Sequence, residues 1–203
     1  MAGRLEGITN RRSNLPVLAW LIYGLLSGTG FWFAGSLCGF GAMALIVTSE
    51  HRRRAVKIMN VTSLVYFTAA AIMAATPAIH MLQTYHLVIV WSAFAAVAWT
   101  TLIAGFPFTI QYGREQSPPE AWHTPLFRRI NVTLTLVWSS IFTLGAVLGA
   151  ATLLTDHAFI LGVVIPGAGM VAGFIFSNRY PKRFSDQFAA SSTTSAAIGE
   201  ASH

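Results

Sequence analysis

Apolar residues run along this chain in long blocks, broken at intervals by short polar or basic stretches. Leu15 to Ser27 is apolar but short: as a helix, thirteen residues rise about 20 Å against about 30 Å of bilayer hydrocarbon. Gly28-Thr29-Gly30 breaks the run, and Phe31 to Ser49 follows as a full-length apolar segment. One long tilted helix or a hairpin of two would each fit residues 15–49. Met59 to Ala75 predicts a third helix, ended by Thr76-Pro77, and Ala78 to His86 reads as a loop. A fourth helix is expected from Leu87 to Phe106, where it meets Pro107. Gly113 to Arg129 is a polar loop containing Pro118-Pro119. Val132 to Leu154 gives a fifth segment, Thr155-Asp156-His157 a short turn, and Ala158 to Ser177 a sixth, which Pro166 is expected to kink.

The pattern predicts an all-α polytopic membrane bundle over residues 15–183. It is preceded by a basic arm over 1–14 and followed by a Ser/Ala/Thr-rich tail over 184–203 that lacks the apolar residues to fold. No cleavable leader is expected, since the first apolar segment runs into the second without a small-residue cleavage site in polar context. Composition agrees: 54% of the 203 residues are hydrophobic and only 10% charged, where soluble domains average about 25%.

Charge gives the bundle an orientation. All thirteen Lys and Arg fall in four clusters. These are Arg4, Arg11 and Arg12; Arg52, Arg53, Arg54 and Lys57; Arg114, Arg128 and Arg129; and Arg179, Lys182 and Arg183. Basic loops stay in the cytoplasm, so six segments with both termini cytoplasmic place every basic residue on one side and leave only Asp156 as a charge outside. A single helix over 15–49 would expel the second cluster, which favours the hairpin. The pI near 10.1 is then a signature of an anionic leaflet, worth about 1 kcal/mol per basic residue near the surface, and not of nucleic-acid binding.

Candidate chemistry is sparse. The densest polar cluster is Pro107-Phe108-Thr109-Ile110-Gln111-Tyr112-Gly113-Arg114-Glu115, where Gln111, Arg114 and Glu115 fall within one turn if the helix continues past Pro107. It reads as a binding surface for a headgroup, lipid-linked precursor or partner, or as an interfacial cap with Tyr112 in the aromatic belt and Arg114 snorkelling. Asn60 and Asn131, each followed by Val-Thr, suit helix N-caps; an interhelical hydrogen bond between the two hairpins is the alternative. The shared Asn-Val-Thr also hints at an internal repeat. The sequon at Asn131 is discounted because it lies on the cytoplasmic side. The pairs Gly35/Gly39, Gly145/Gly149 and Gly169/Gly173 suit close helix packing, within the bundle or against a second copy. Cys38, the single cysteine, is expected to be a small buried residue.

No catalytic, metal or cofactor residues are expected. His80, His86, Asp156 and His157, all expected outside, match no zinc spacing, and no Asp, Glu, Lys, Arg or His lies at mid-span in an expected helix. Glycine-rich phosphate loops, nucleophile elbows and carboxylate pairs are missing from the sequence.

Pro107 to Glu115 resembles the P-F-T-[LI]-Q-Y-[AG]-R-E signature of a group of uncharacterised bacterial membrane proteins. Pro125-Leu126-Phe127-Arg128-Arg129-Ile130-Asn131 is similar to the stretch opening the penultimate helix in the intracellular septation protein A family. That family carries an aromatic three residues after the asparagine; here Leu134 stands there, with Trp138 a turn later, and the N-terminal arm and Pro-Pro loop also differ. The resemblance implies a bacterial inner-membrane protein tied to envelope synthesis or division through protein partners, without catalysis. Three functions are therefore weighed: a non-enzymatic envelope scaffold in contact with anionic lipid; a small transporter or channel for a neutral or lipid-like solute, along Asn60, Gln111, Ser139 and Thr143; and, with least support, an enzyme acting on lipid-linked substrates through Arg114 and Glu115.

Overall fold

In the computed structural model, residues 15–155, 157 and 159–181 are described. The basic arm, the tail and Asp156 lie outside them. The described chain is all α-helical: α1 (Leu15–Gly28), α2 (Trp32–Arg52), α3 (Ile58–Ala74), α4 (Ile79–Ile103), α5 (Thr109–Gln116), a single 3₁₀ turn at Pro119–Ala121, α6 (Pro125–Ala151) and α7 (Ile160–Pro181). Four of these, α2, α4, α6 and α7, are long and apolar enough to cross a membrane. α1 and α3, of 14 and 17 residues, are shorter. At 1.5 Å per residue they reach about 21 and 25 Å, less than the hydrocarbon thickness.

Large apolar side chains cover the outer surface: Leu25 is 69% exposed, Leu45 75% and Val171 59%. Water would penalise such a coat, whereas lipid tails accept it. This coat and the four long apolar helices are compatible with an integral membrane protein.

Several boundaries move from the sequence expectation. α4 begins at Ile79, so most of the expected loop over 78–86, including His80 and His86, is helical; after Pro77 nothing in that stretch breaks a helix. α6 begins at Pro125, seven residues before Val132, because Thr124 caps it: the Thr124 hydroxyl accepts from the Phe127 N–H at 3.2 Å, and Pro125 takes the first helical position. α4 does not continue through Pro107. It ends at Ile103, and Gly105 turns the chain at φ 79°, a left-handed conformation that glycine adopts without strain. The distortion expected at Pro166 takes the form of a π-helical turn over Ile160–Val164. Proline has no N–H to give the preceding turn, and the wider turn accommodates the loss.

The described chain divides into two compact units, one up to Val97 and one from Ala98, with the division falling within α4. In the first, α1 packs on α2 and α2 on α3. Their core is aromatic. Phe67 is fully buried, with its ring 4.5 Å from Trp20 and 5.3 Å from Tyr23, centroid to centroid. The Tyr23 and Tyr66 hydroxyls share a 2.8 Å hydrogen bond, and the Trp20 indole donates to Ser63 at 3.2 Å. Leu82 and Val90 of α4 close this core. Trp32 meets the His86 ring edge-on at 4.9 Å.

In the second unit α6 packs against α5 and the start of α7. Trp138 donates its indole N–H to Ser177 at 3.0 Å and meets Phe174 edge-on.

Gly35, Gly39 and Gly173 pack closely within the chain. A Cβ on Gly39 would lie 2.6 Å from the Phe67 ring, one on Gly35 3.3 Å from the Tyr23 carbonyl, and one on Gly173 2.8 Å from Ile141. Gly145 and Gly149 are buried. Cys38, expected inside, is exposed on the apolar surface of α2. In lipid a thiol behaves as a small apolar group, so burial in protein is not needed.

Candidate functional site

The stretch 107–115 builds a short helix mounted on α6. Pro107, Phe108 and Thr109 are buried and form its root. The Thr109 hydroxyl donates to the Asn131 carbonyl at 2.8 Å and lies 2.9 Å from the Thr135 hydroxyl. With its proton on the carbonyl, Thr109 accepts from Thr135. Thr135 and Ser139 are fully buried, and Ser139 donates to the Thr135 carbonyl. Thr143 continues the four-residue repeat, donating to the Ser139 carbonyl and accepting from the Trp99 indole at 3.0 Å. Asn131, Thr135, Ser139 and Thr143 thus form one polar stripe on α6, since residues four apart share a helix face.

Asn131 and Asn60 are not N-caps. Asn131 is the seventh residue of α6; its Nδ2 donates to the Phe127 carbonyl at 2.8 Å, while its buried Oδ1 has no partner among the described residues. Gly113 crosses directly above it: a Cβ there would meet Oδ1 at 3.0 Å and the Phe127 ring at 3.2 Å. A methyl group there would require Asn131 or Phe127 to give by a few tenths of an ångström. Asn60 belongs to the other unit and has a different task. As the third residue of α3, it donates Nδ2 to Glu50 at 2.7 Å, and the same carboxylate accepts from the Lys57 backbone N–H at 3.1 Å. The two asparagines therefore differ in helix register and in partner, so the shared Asn-Val-Thr marks no structural equivalence.

Beyond its root, α5 turns polar. Gln111, Arg114 and Glu115 are exposed, and the Tyr112 ring lies edge-on to Phe108. The Arg114 guanidinium sits 5.2 Å from the centre of the Trp122 ring, a cation–π contact. Trp122 is held in turn by its indole N–H, which donates to the Ser117 carbonyl at 3.2 Å. Behind this loop lies an open, mainly apolar groove of about 250 Å³, lined by Ser117, Ala121, Leu126, Phe127, Ile130 and Pro181 among others.

Of the residues singled out in the sequence, the structure joins Pro107, Phe108 and Asn131 at the root and displays Gln111, Arg114 and Glu115 outside it. Asn60 stands apart in the first unit. Sequence reasoning held Thr109 within the 107–115 stretch without giving it a role, and missed Thr135, Trp122 and Glu50. Only Trp122 carried a usable signal, as an aromatic inside a polar loop; the hydroxyls were indistinguishable from others in apolar runs.

Comparison with protein-family models, with curated proteins and with solved structures finds no match to this chain.

Proposed function

We propose that the chain is a six-segment protein of the bacterial cytoplasmic membrane, acting as a non-enzymatic scaffold or accessory factor of the cell envelope. Both termini face the cytoplasm, and α1 and α2 form a hairpin whose first leg does not span the full hydrocarbon. The one-sided charge supports that orientation. The bacterial and envelope setting rests on the resemblance of 107–115 and 125–131.

The observation that carries the scaffold reading is the mounting of α5. Buried hydrogen bonds from Thr109, and the close seat of Gly113 on Asn131, hold a polar face at fixed height above α6. A rigid, exposed face suits recognition of a partner. The residues required for a solute path support it less. Ser139 is fully buried with its hydroxyl committed to its own helix, and Asn60 is buried against Glu50.

Topology is checked by single-cysteine labelling after Cys38 is replaced. Arg53→Cys and His123→Cys are expected to react from the cytoplasmic side, Thr76→Cys and Thr155→Cys from outside. Labelling of position 53 from outside would sink the six-segment arrangement. Function is checked by crosslinking in native membranes, followed by mass spectrometry. The wild type is expected to capture specific envelope or division proteins that Arg114→Ala loses. Recovery of the protein alone would overturn the scaffold reading and favour transport of a neutral solute.

A further inference from the structure

The groove beside Arg114 has an apolar floor and basic surroundings that together point to one kind of ligand. Its floor is apolar, formed by Leu126, Phe127 and Ile130 from the first turns of α6, with Ala121 and Pro181 at the sides. At about 250 Å³ it falls below the usual range for compact small-molecule pockets, about 300–1,000 Å³, and it is open along one side. An apolar floor open along one side suits a hydrocarbon chain.

Its surroundings are basic. Arg128 and Arg129 interrupt the lining residues of α6, Arg179 lies two residues before Pro181, and Arg114 lies on Trp122, next to Ala121. All four arginines are exposed, and among the described residues neither Arg114 nor Arg128 has an ion-pair partner. The acidic groups of the same segment are Glu115 and Glu120, so the four arginines leave an excess of positive charge. Stacking on Trp122 orients the Arg114 guanidinium without using its N–H donors, which stay available for a phosphate oxygen.

We propose that this groove is a binding site for an anionic phospholipid, with one acyl chain against Leu126, Phe127 and Ile130 and the phosphate at Arg114 and Arg128. The site deepens the membrane reading and needs no protein partner, so loss of crosslinked partners would leave it standing.

The test is native mass spectrometry of the purified full chain in mild detergent, titrated with phosphatidylglycerol or phosphatidylcholine. The wild type is expected to bind phosphatidylglycerol in preference to phosphatidylcholine. Arg114→Ala should weaken phosphatidylglycerol about fivefold, the equivalent of about 1 kcal/mol for one basic residue at the surface. Ile130→Trp, which fills the groove, should weaken both lipids; if it fails to fold, Ala121→Leu narrows the same channel. Arg53→Ala, in the other unit, should change the preference for phosphatidylglycerol less than Arg114→Ala does. Equal binding of the two lipids, or a preference that survives both Arg114→Ala and the groove-filling change, would overturn the proposal. So would full displacement of the lipid by soluble glycerol phosphate, since the acyl chain would then contribute nothing.

Discussion

Replacing Phe67 with alanine is expected to cost about 3 kcal/mol of stability, the low end of the range for truncating a buried phenylalanine. Phe67 is fully buried and touches rings from α1 and α3 as well as the bare backbone of Gly39. Lipid tails are as apolar as the core, so the loss is of packing contacts rather than of burial from water, which sets the estimate low. Gly39→Ala attacks the same contact from the other side. Its methyl group would sit 2.6 Å from a ring that has nowhere to go, and about 1–3 kcal/mol of overpacking should outweigh the roughly 1 kcal/mol gained in helix propensity. The two positions form one contact, so Gly39→Ala combined with Phe67→Leu should be milder than the sum of the separate changes. Thermal unfolding in mild detergent, followed by tryptophan fluorescence, measures all of these. Additive losses would mean that α2 and α3 do not meet through this pair.

How much of this could be read from the chain depends on what each feature rests on. The helices follow from apolar block length, so α2, α4, α6 and α7 stand where long apolar blocks stand. Their ends are harder, because a cap is a local hydrogen bond with little compositional weight: Thr124-Pro125 starts α6 a full two turns before the apolar run suggests. Gly39 was readable as a packing glycine from its spacing, yet its partner Phe67 was not, since any aromatic of a neighbouring helix would have served. The same limit applies at α5. Its proline and polar face stand out in the sequence, while the Thr109 hydroxyl that fixes it resembles every other threonine in an apolar run. Asn60 and Asn131 show the converse error. Identical neighbours suggested identical roles, but register decides what an asparagine reaches. One lies across from a carboxylate and the other beneath a glycine.

Glu50 illustrates that dependence on context, and Glu50→Ala is expected to cost about 2–3 kcal/mol, in line with removing a charged acceptor from two donors. On its own helix the residue is badly placed, since a carboxylate near a helix C-terminus opposes the dipole. The tight connection to α3 reverses this. Its carboxylate reaches the Lys57 backbone N–H at the start of α3, the Asn60 amide, and the Lys57 ammonium at 3.7 Å, and the Glu50 side chain is only 13% exposed. The connection is itself constrained, with Arg54 held at φ 55°, a left-handed conformation unfavourable for a side chain with a Cβ. Glu50→Ala strands the Asn60 amide and releases this turn. Glu50→Gln keeps one carbonyl acceptor but loses the charge, so it should recover about half the loss. Asn60→Ala should add little once Glu50 is gone, since the two share one interaction. Unfolding measurements on the single and double variants, paired with protease accessibility of residues 52–57, separate the outcomes. An unchanged stability in Glu50→Ala would mean that interfacial water satisfies these donors as well as the carboxylate does, and that apolar packing, including the Gly39–Phe67 contact, holds α2 to α3.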